Sequence, residues 1–223
     1  MARKMLLGAV SLPPVRVRQH VNPLSLRYQI PVPVPDWTDV FKDVERPLHL
    51  DIGSARGQFL LDIASQQPQW NFLGLEIRRP LVEQAIAFRN EQDLSNLHFL
   101  FCNANVSLLP VLKSLPQGVL QRVSIQFPDP WFKKRHQKRR VVQPELVETL
   151  ATCLAPGSMV FLQSDVEEVE REMCDRFSEH PAFTRQQEQW LIDNPLGVST
   201  ERENMTLEKG EPVYRAVFFK TEA

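Results

Sequence analysis

The chain has 223 residues, of which 43% are hydrophobic and 24% are charged, and its formal net charge at pH 7 is −1. This length suits one domain with a substantial core, and the composition is typical of a globular protein. A net charge so close to zero excludes a protein that coats nucleic acid with its whole surface, although a local basic face stays possible. The three scattered cysteines include no CxxC pair and no Cys/His cluster, which predicts reduced thiols and no metal site.

Residues 1–44 contain many prolines and show no sustained hydrophobic period, which predicts an extended arm ahead of a domain at 45–223. Residues 1–35 carry five Lys or Arg and no Asp or Glu. We interpret the arm as an RNA-contacting segment, with a solvated tail as the alternative. The apolar run at 5–10 is too short for a membrane span or a signal peptide. We expect a cytoplasmic protein, with an organelle transit peptide as the alternative.

Strands and helices alternate along the rest of the chain. Strands are predicted at 48–52, 72–76, 97–102, 120–127, 158–163 and 213–220. Helices are predicted at 58–67, 80–90, 106–115, 144–154 and 166–180, the last of them capped by Ser164-Asp165. Such alternation is typical of βαβ units, so we expect an α/β fold whose mostly parallel sheet has helices on both faces.

Polar residues and a glycine recur where the predicted strands end. The set consists of Asp51, Gly53, Glu76, Asn103 and Asp129. The carboxyl ends of parallel strands share one edge of the sheet, and ligands bind outside that edge near the point where the strand order reverses. We therefore expect these residues to gather around one ligand.

The segment Asp51-x-Gly53-x-x-x-Gly57 predicts a glycine turn between the first strand and the first helix. Glycines let the backbone approach a ligand, and Glu76 at the end of the next strand can accept both hydrogen bonds of a ribose diol. These features fit NAD and S-adenosylmethionine alike. The dinucleotide fingerprint G-x-G-x-x-G is absent, however, and Asp51 would repel a pyrophosphate but attract an ammonium group. Because Asn103 also suits an adenine edge, we favour S-adenosylmethionine.

The most distinctive stretch spans residues 126–140. Pro128 and Pro130 each fix φ near about −65° and favour extended backbone in the preceding residue, so Phe127 and Asp129 should be extended on a stiff loop. Trp131 and Phe132 follow, and then six Lys or Arg lie within 133–140. A rigid acid, aromatic rings and a cationic run suit an enzyme that acts on a base in a polyanion. Core packing of the tryptophan is an equal alternative to base stacking.

Over residues 46–220 the chain resembles the tRNA (guanine-N7-)-methyltransferase family. The resemblance rests on Leu50-Asp51-Ile52-Gly53-x-x-x-Gly57, Gly74-Leu75-Glu76, Phe127-Pro128-Asp129-Pro130-Trp131-x-Lys133-Lys134-Arg135-His136-x-Lys138-Arg139-Arg140, Ser164-Asp165 and Thr200-x-x-Glu203. It implies a class I S-adenosylmethionine-dependent methyltransferase fold, Rossmann-like with seven strands. It also implies S-adenosylmethionine as the methyl donor and guanine 46 in the variable loop of tRNA as the acceptor.

The resemblance also implies roles for individual residues. Positions that match cofactor-binding residues are Asp51, Gly53, Gly57, Glu76, Asn103 and Asp129, the last of which is also the implied catalytic acid. Positions that match substrate-binding residues are Lys133, Asp165, Thr200, Glu201, Arg202 and Glu203. Three positions depart from the family pattern, which usually has Glu at Asp51, Gly at Ala55 and often Asp at Asn103.

Two other functions stay open at this point. One is methylation of an exocyclic amine in DNA or RNA, since that class of enzyme also has a proline- and aromatic-rich motif after its fourth strand. The other is RNA binding without catalysis on the same fold. We expect tRNA as the partner, no membrane association, and a monomer or homodimer.

Overall fold

The computed structural model describes residues 21–221, so residues 1–20 of the predicted arm lie outside the described part of the chain. The strands are β1 (Leu48–Ile52), β2 (Asn71–Glu76), β3 (Leu97–Phe101), β4 (Leu120–Gln126), β5 (Met159–Ser164), β6 (Phe183–Arg185) and β7 (Tyr214–Lys220). The α-helices are α1 (Trp37–Val40), α2 (Gln58–Gln66), α3 (Arg79–Glu91), α4 (Ala104–Lys113), α5 (Pro144–Cys153), α6 (Glu167–Ser178) and α7 (Glu201–Glu208). Two short 3₁₀ segments lie at Leu26–Tyr28 and Lys134–Arg139.

The seven strands form one sheet in the order β3-β2-β1-β4-β5-β7-β6. Strands β1 to β5 pair in parallel, whereas β7 runs antiparallel to both β5 and β6. The chain moves outward from β1 to β3 and then returns to place β4 beside β1, so the strand order reverses between β1 and β4. A crevice opens at such a reversal, outside the carboxyl ends of the strands, and this determines where a ligand can bind.

Hydrophobic side chains cover both faces of the sheet. Successive residues of a strand point to opposite faces, and in β5 Val160 and Leu162 join one core cluster while Phe161 joins the other. Helices α4, α5 and α6 supply the first cluster, and α2 and α3 supply the second. The predicted fold class, a mostly parallel seven-stranded sheet between helices, is therefore confirmed.

The six predicted strands are all present within one residue at each end. The sequence pattern missed β6, which is only three residues long, and helix α7. Helix α7 has a sequence signal nevertheless, because Thr200 and Glu203 form a capping box in which each side chain bonds the other residue's backbone N–H. Such a box is a short T-x-x-E pattern that marks the start of a helix.

The predicted cap of helix α6 is wrong. The helix begins at Glu167 with Val166 as its N-cap residue, and no side chain caps it. Ser164 still belongs to β5, and its hydroxyl accepts a hydrogen bond from the Val166 N–H within the turn. The Asp165 carboxylate instead forms an ion pair with Arg202, because the tertiary fold brings α7 next to this turn.

Part of the predicted arm packs against the domain. Trp37 and Phe41 stack on each other with ring centroids 5.8 Å apart, and both are buried in the first core cluster. The indole Nε1 of Trp37 also donates a 2.8 Å hydrogen bond to the hydroxyl of Ser114. The packed body of the protein therefore begins before residue 45.

Within residues 21–221, no helix combines the length and the hydropathy that crossing a membrane requires. No three His, Cys, Asp or Glu side chains in this part of the chain are grouped so as to hold a metal ion. Cys102 and Cys174 are buried and Cys153 is half-buried, and all three are free thiols.

Candidate active site

Two adjoining cavities open at the carboxyl ends of β1, β2 and β4. The larger has a volume of about 480 Å³ and the smaller about 120 Å³. Gly53 and Asp129 line both of them, Asp51 lines the larger, and Glu76 and Asn103 line the smaller. The five polar and glycine positions at the predicted strand ends thus lie around one crevice, at the reversal of strand order.

Asp51 is a buried carboxylate held by two donors. The hydroxyl of Ser124 donates to Asp51 Oδ1 over 2.6 Å, and Nε2 of Gln126 donates to the same oxygen over 3.2 Å. Burial raises the pKa of Asp51 to about 6, although both hydrogen bonds lower it, and the nearby charge of Glu76 raises it further. A cation in the larger cavity would restore the ionised form, so this carboxylate suits an ammonium group.

A second layer of contacts orients the donors of Asp51. His49 is buried in the same strand, and its Nε2 lies 2.9 Å from the hydroxyl oxygen of Ser124. Burial and the charge of Arg122 hold the pKa of His49 well below its usual range. The imidazole is therefore neutral, and because the serine hydroxyl gives its proton to Asp51, His49 Nε2 is the donor in this contact.

Glu76 has its hydrogen-bonding capacity largely filled by the protein itself. Its carboxylate accepts from the backbone N–H groups of Ala55 and Arg78, at 3.0 and 2.9 Å. The guanidinium of Arg78 adds two more hydrogen bonds, at 2.9 and 3.0 Å. Burial lowers the pKa of Arg78, but the contacts with Glu76 and the charge of Asp129 outweigh it and raise the pKa. A ribose diol at Glu76 would therefore share this carboxylate with Arg78.

Asn103 fastens the amino-terminal segment to the site. Its Oδ1 accepts from the Asn105 N–H at the start of α4, and its Nδ2 donates to the carbonyls of Pro23 and Tyr28, at 3.1 and 3.2 Å. Pro23 and Val21 line the smaller cavity beside it. The amide that the sequence assigned to an adenine edge thus holds one wall of the cavity in this structure.

The two glycines of the first turn have different surroundings. Gly53 has φ +90°, and no heavy atom beyond its own chain neighbours lies within 4 Å of where a Cβ would be. Gly57 has φ +76°, and a Cβ there would come within 2.5 Å of the Phe99 ring and 2.9 Å of Ala85. Gly57 does not line either cavity. It lets helix α2 approach the sheet, whereas Gly53 leaves room for a ligand.

The loop that carries Asp129 bends more sharply than the prolines predict. Phe127 has φ +48°, so the expected extended conformation at this residue is wrong. Its N–H still donates to the carbonyl of Gln163 over 2.8 Å, which continues the pairing with β5 up to the bend. Trp131 also has positive φ, and left-handed backbone costs about 1–2 kcal/mol at each non-glycine residue. Tertiary contacts therefore hold a strained loop across the crevice.

The two aromatic residues after Asp129 have different positions. Trp131 is half-buried, with the guanidinium of Arg139 4.9 Å from its ring centroid and the His136 ring edge-on at 5.8 Å. Phe132 lines the larger cavity, and 68% of it is exposed. Phe132 therefore presents an exposed ring at the larger cavity, whereas Trp131 lines the smaller cavity and packs against Arg139 and His136.

The cationic run is divided between the surface and the interior. Its exposed members are Lys133, Lys134, Arg135 and Lys138. Arg140 is only 4% exposed, donates to the Pro130 carbonyl over 2.8 Å and forms ion pairs with Glu168 and Glu172 of α6. Arg140 therefore anchors the Asp129 loop to α6, whereas the exposed members present their charges to solvent.

The start of helix α7 and the turn after β5 form part of the wall of the larger cavity. Thr200, Glu201, Arg202 and Asp165 all line this cavity. Glu203 does not line it and is only 1% exposed. Its carboxylate forms an ion pair with Arg215 at 2.7 Å and accepts from Asn194 at 2.8 Å. Through these buried contacts Glu203 holds the start of α7 in place.

The sequence pattern did not single out Arg78 and Gln126, which line both cavities, or Gln163, which binds Gln126 but lines neither cavity. Arg78 binds Glu76, and the two glutamines connect the sides of the crevice through their amides. Their only sequence signal is position, since the glutamines stand at or near the ends of two predicted buried strands, where a polar residue needs a partner.

Comparison with known proteins supplies further findings. A family model described as putative methyltransferase matches residues 45–216. The chain is 62% identical over 209 residues to a tRNA (guanine-N(7)-)-methyltransferase of Synechococcus elongatus, which covers 94% of this chain and 98% of that protein. It is 61% identical over 209 residues to the protein of the same name from Trichormus variabilis, covering 93% and 97%. The solved 16S rRNA methyltransferase KamB shares the fold, with a TM-score of 0.59 at 16% identity, covering 86% of this chain and 96% of that one.

Proposed function

Since this chain belongs to the tRNA (guanine-N7-)-methyltransferase family, we propose that it methylates N7 of guanine 46 in the variable loop of tRNA, with S-adenosylmethionine as the methyl donor. The observation that carries this proposal is the position of Asp129. It lines both the cavity with Asp51 and the cavity with Glu76 and Asn103, at the reversal of strand order. An acid there would stand between the cofactor and an incoming base.

The lining of the crevice fits S-adenosylmethionine. Asp51 supplies a buried carboxylate for the ammonium of the methionine part, and both protein donors bind its Oδ1. Gly53 leaves open space beside it, and Glu76 can bind a ribose diol alongside Arg78. When bound, the cofactor supplies a methyl group activated by a sulfonium.

The chemistry demanded of the protein is positioning and charge complementarity. Guanine N7 has an in-plane lone pair and no proton, so no general base is needed to activate it. In our proposal Asp129 accepts hydrogen bonds from the N–H groups of the guanine and stabilises the positive charge that the base gains. Asp165 lines the same cavity and adds negative charge, and Thr200 adds a hydroxyl.

The rim of the larger cavity suits a nucleic acid. Phe132 offers an exposed ring for stacking, and the exposed cations Lys133, Lys134, Arg135 and Lys138 can neutralise phosphates. Arg202 is also exposed, although it is paired with Asp165. The cytoplasmic location and the monomer or homodimer stay predictions.

The test is to incubate the protein with bulk unmodified tRNA and methyl-labelled S-adenosylmethionine and then analyse the digested nucleosides. We expect the label in N7-methylguanosine, and mapping should place it at guanine 46. Label on an exocyclic amine would contradict the proposal in favour of the other nucleic-acid methyltransferase class. Binding of tRNA without binding of cofactor would favour a non-catalytic RNA-binding protein.

A further inference from the structure

A row of polar side chains crosses the sheet near the carboxyl ends of β1, β4 and β5 and the amino end of the antiparallel β7. Gln126 donates from Nε2 to Asp51 Oδ1 over 3.2 Å, and its Oε1 accepts from Nε2 of Gln163 over 2.7 Å. The same Gln163 nitrogen donates to Glu203 Oε2 over 3.1 Å. The Gln163 oxygen accepts from Nε of Arg215 over 3.2 Å, and the ion pair of Arg215 with Glu203 ends the row.

The register of the sheet builds this row. Gln126 of β4 pairs with Gln163 of β5, and Gln163 pairs with Arg215 of β7. Register partners on neighbouring strands point to the same face, so the three long side chains lie beside one another. Gln163 is fully buried, and a buried amide is costly unless both its oxygen and its nitrogen are bonded. In this row both groups of each glutamine have a partner.

The row connects two parts of the wall of the larger cavity. Asp51 lines the larger cavity on the side of the cofactor. At the other end, Glu203 forms the capping box with Thr200, and residues 200–202 line the same cavity where we place the base. We propose that Gln126 and Gln163 are positioning residues that couple these two ends, so that cofactor and tRNA each strengthen the binding of the other. This inference rests on the proposed function.

The sign of the coupling follows from the chemistry of the amide groups. A cation bound at Asp51 keeps that carboxylate ionised and strengthens the hydrogen bond from Gln126. Gln126 must then present its oxygen to Gln163, which directs the Gln163 nitrogen towards Gln126 and Glu203 together. With Glu203 held, the start of α7 is fixed in the form that lines the cavity. Because the coupling of two binding sites is reciprocal, tRNA on that segment favours the same arrangement at Asp51.

Isothermal titration calorimetry with S-adenosylhomocysteine as the probe measures the coupling. In the wild-type protein we expect saturating unmodified tRNA to lower the Kd of the probe by at least ~5-fold, the lower end of typical coupling between sites. Gln163→Leu should bring the ratio of the two Kd values close to one while each ligand alone still binds. Gln126→Leu should also abolish the coupling. In addition, it should weaken the binding of the probe, because Asp51 loses a hydrogen-bond donor.

The matched control is Asn96→Leu. Asn96 is also a buried amide, but it precedes β3 at the opposite edge of the sheet and donates to the carbonyls of Ala64 and Trp70 at 3.0 Å each. This variant should lose stability in thermal unfolding yet keep the wild-type ratio. If Gln163→Leu does not fold, the half-buried Gln126 decides the question alone.

If saturating tRNA left the Kd of the probe unchanged in the wild-type protein, the proposed coupling would be overturned. It would also be overturned if both glutamine variants kept the Kd ratio of the wild-type protein. A Kd ratio close to one in Asn96→Leu would also overturn the coupling, because general destabilisation would then explain the result. Failure of the wild-type protein to bind the probe or tRNA separately would contradict the proposed function instead, and the two failures are therefore distinct.

Discussion

The two sides of the active-site crevice are built in different ways. On the side that we propose for the cofactor (the cofactor side), Asp51 and Glu76 are buried, and each accepts hydrogen bonds from donors in the strands and turns around it. On the side that we propose for tRNA (the tRNA side), Phe132, Lys133 and Lys134 are exposed. The strained loop around Asp129 joins the two sides.

This difference corresponds to the two kinds of ligand. A small molecule is held best by a site whose polar groups are oriented before it arrives, since little ordering is then left to oppose binding. A polyanion gains most from exposed cations, whose effect depends on salt and hardly at all on exact geometry. Changes on the cofactor side should therefore act on cofactor affinity and pH dependence, and changes on the tRNA side on tRNA affinity and salt dependence.

The largest effect is expected at the junction of the two sides. Asp129→Ala should slow methyl transfer about 10²–10³-fold in single turnovers at saturating cofactor and tRNA, since one stabilising group is lost at the developing charge. The binding of both ligands should change much less. A near-normal rate would remove Asp129 from any catalytic role.

The next largest effect is the pH dependence of binding on the cofactor side. The pKa of Asp51 is raised to about 6 by burial, and the ammonium of the ligand binds the ionised form, so protons compete with the ligand below that pH. The affinity for S-adenosylhomocysteine should therefore be about tenfold weaker at pH 5 than at pH 7, as measured by calorimetry. The charge of Glu76 acts on this carboxyl, the neutral His49 contacts it through Ser124, and Arg56, Arg78 and Asp129 line the same cavity.

Asp51→Asn is the control for this pH dependence. It should weaken the probe by about 1.5–3 kcal/mol at pH 7, the range for hydrogen bonds to charged groups, and its affinity should be flat between pH 5 and 7. If the variant kept the wild-type slope, another group would be responsible for the titration.

A smaller effect is expected from the aromatic ring at the rim. Phe132→Ala should lower kcat/KM for tRNA by the equivalent of about 1–2 kcal/mol, as expected for the loss of one base-stacking contact. The Kd of S-adenosylhomocysteine should stay unchanged. Phe132→Trp, which keeps an aromatic face, should retain most of the activity. Equal losses in both variants would argue against stacking.

The smallest effect is a change in the salt dependence of tRNA binding. Lys134→Ala should reduce the slope of log K for tRNA against log salt by about one and weaken binding only modestly, because one exposed cation is removed. Arg140→Lys is the informative comparison, since Arg140 binds Glu168, Glu172 and Pro130. It should lower thermal stability and leave the salt slope close to that of the wild type. A reduced slope in Arg140→Lys would place this side chain on a phosphate instead.

Much of the site follows from the sequence because its signals are local. Strands and helices appear as hydrophobic periods, and parallel strands bring their carboxyl ends to one edge, so Asp51, Glu76, Asn103 and Asp129 had to lie near one another. The family resemblance added the identity of the reaction, which no pattern of burial contains. The short strand β6 escaped because three residues carry no measurable period.

The sequence by itself determined the fold class, the edge that carries the site and the residue types found there. Only the tertiary structure decided which of these side chains face the crevice. In the folded protein Arg140 forms an ion pair with α6, Glu203 forms an ion pair with Arg215, and the Asn103 amide donates a hydrogen bond to the amino-terminal segment. The physical reason is that each such partner comes from a distant part of the chain, and buried charges and amides bind whatever donors and acceptors the fold brings beside them.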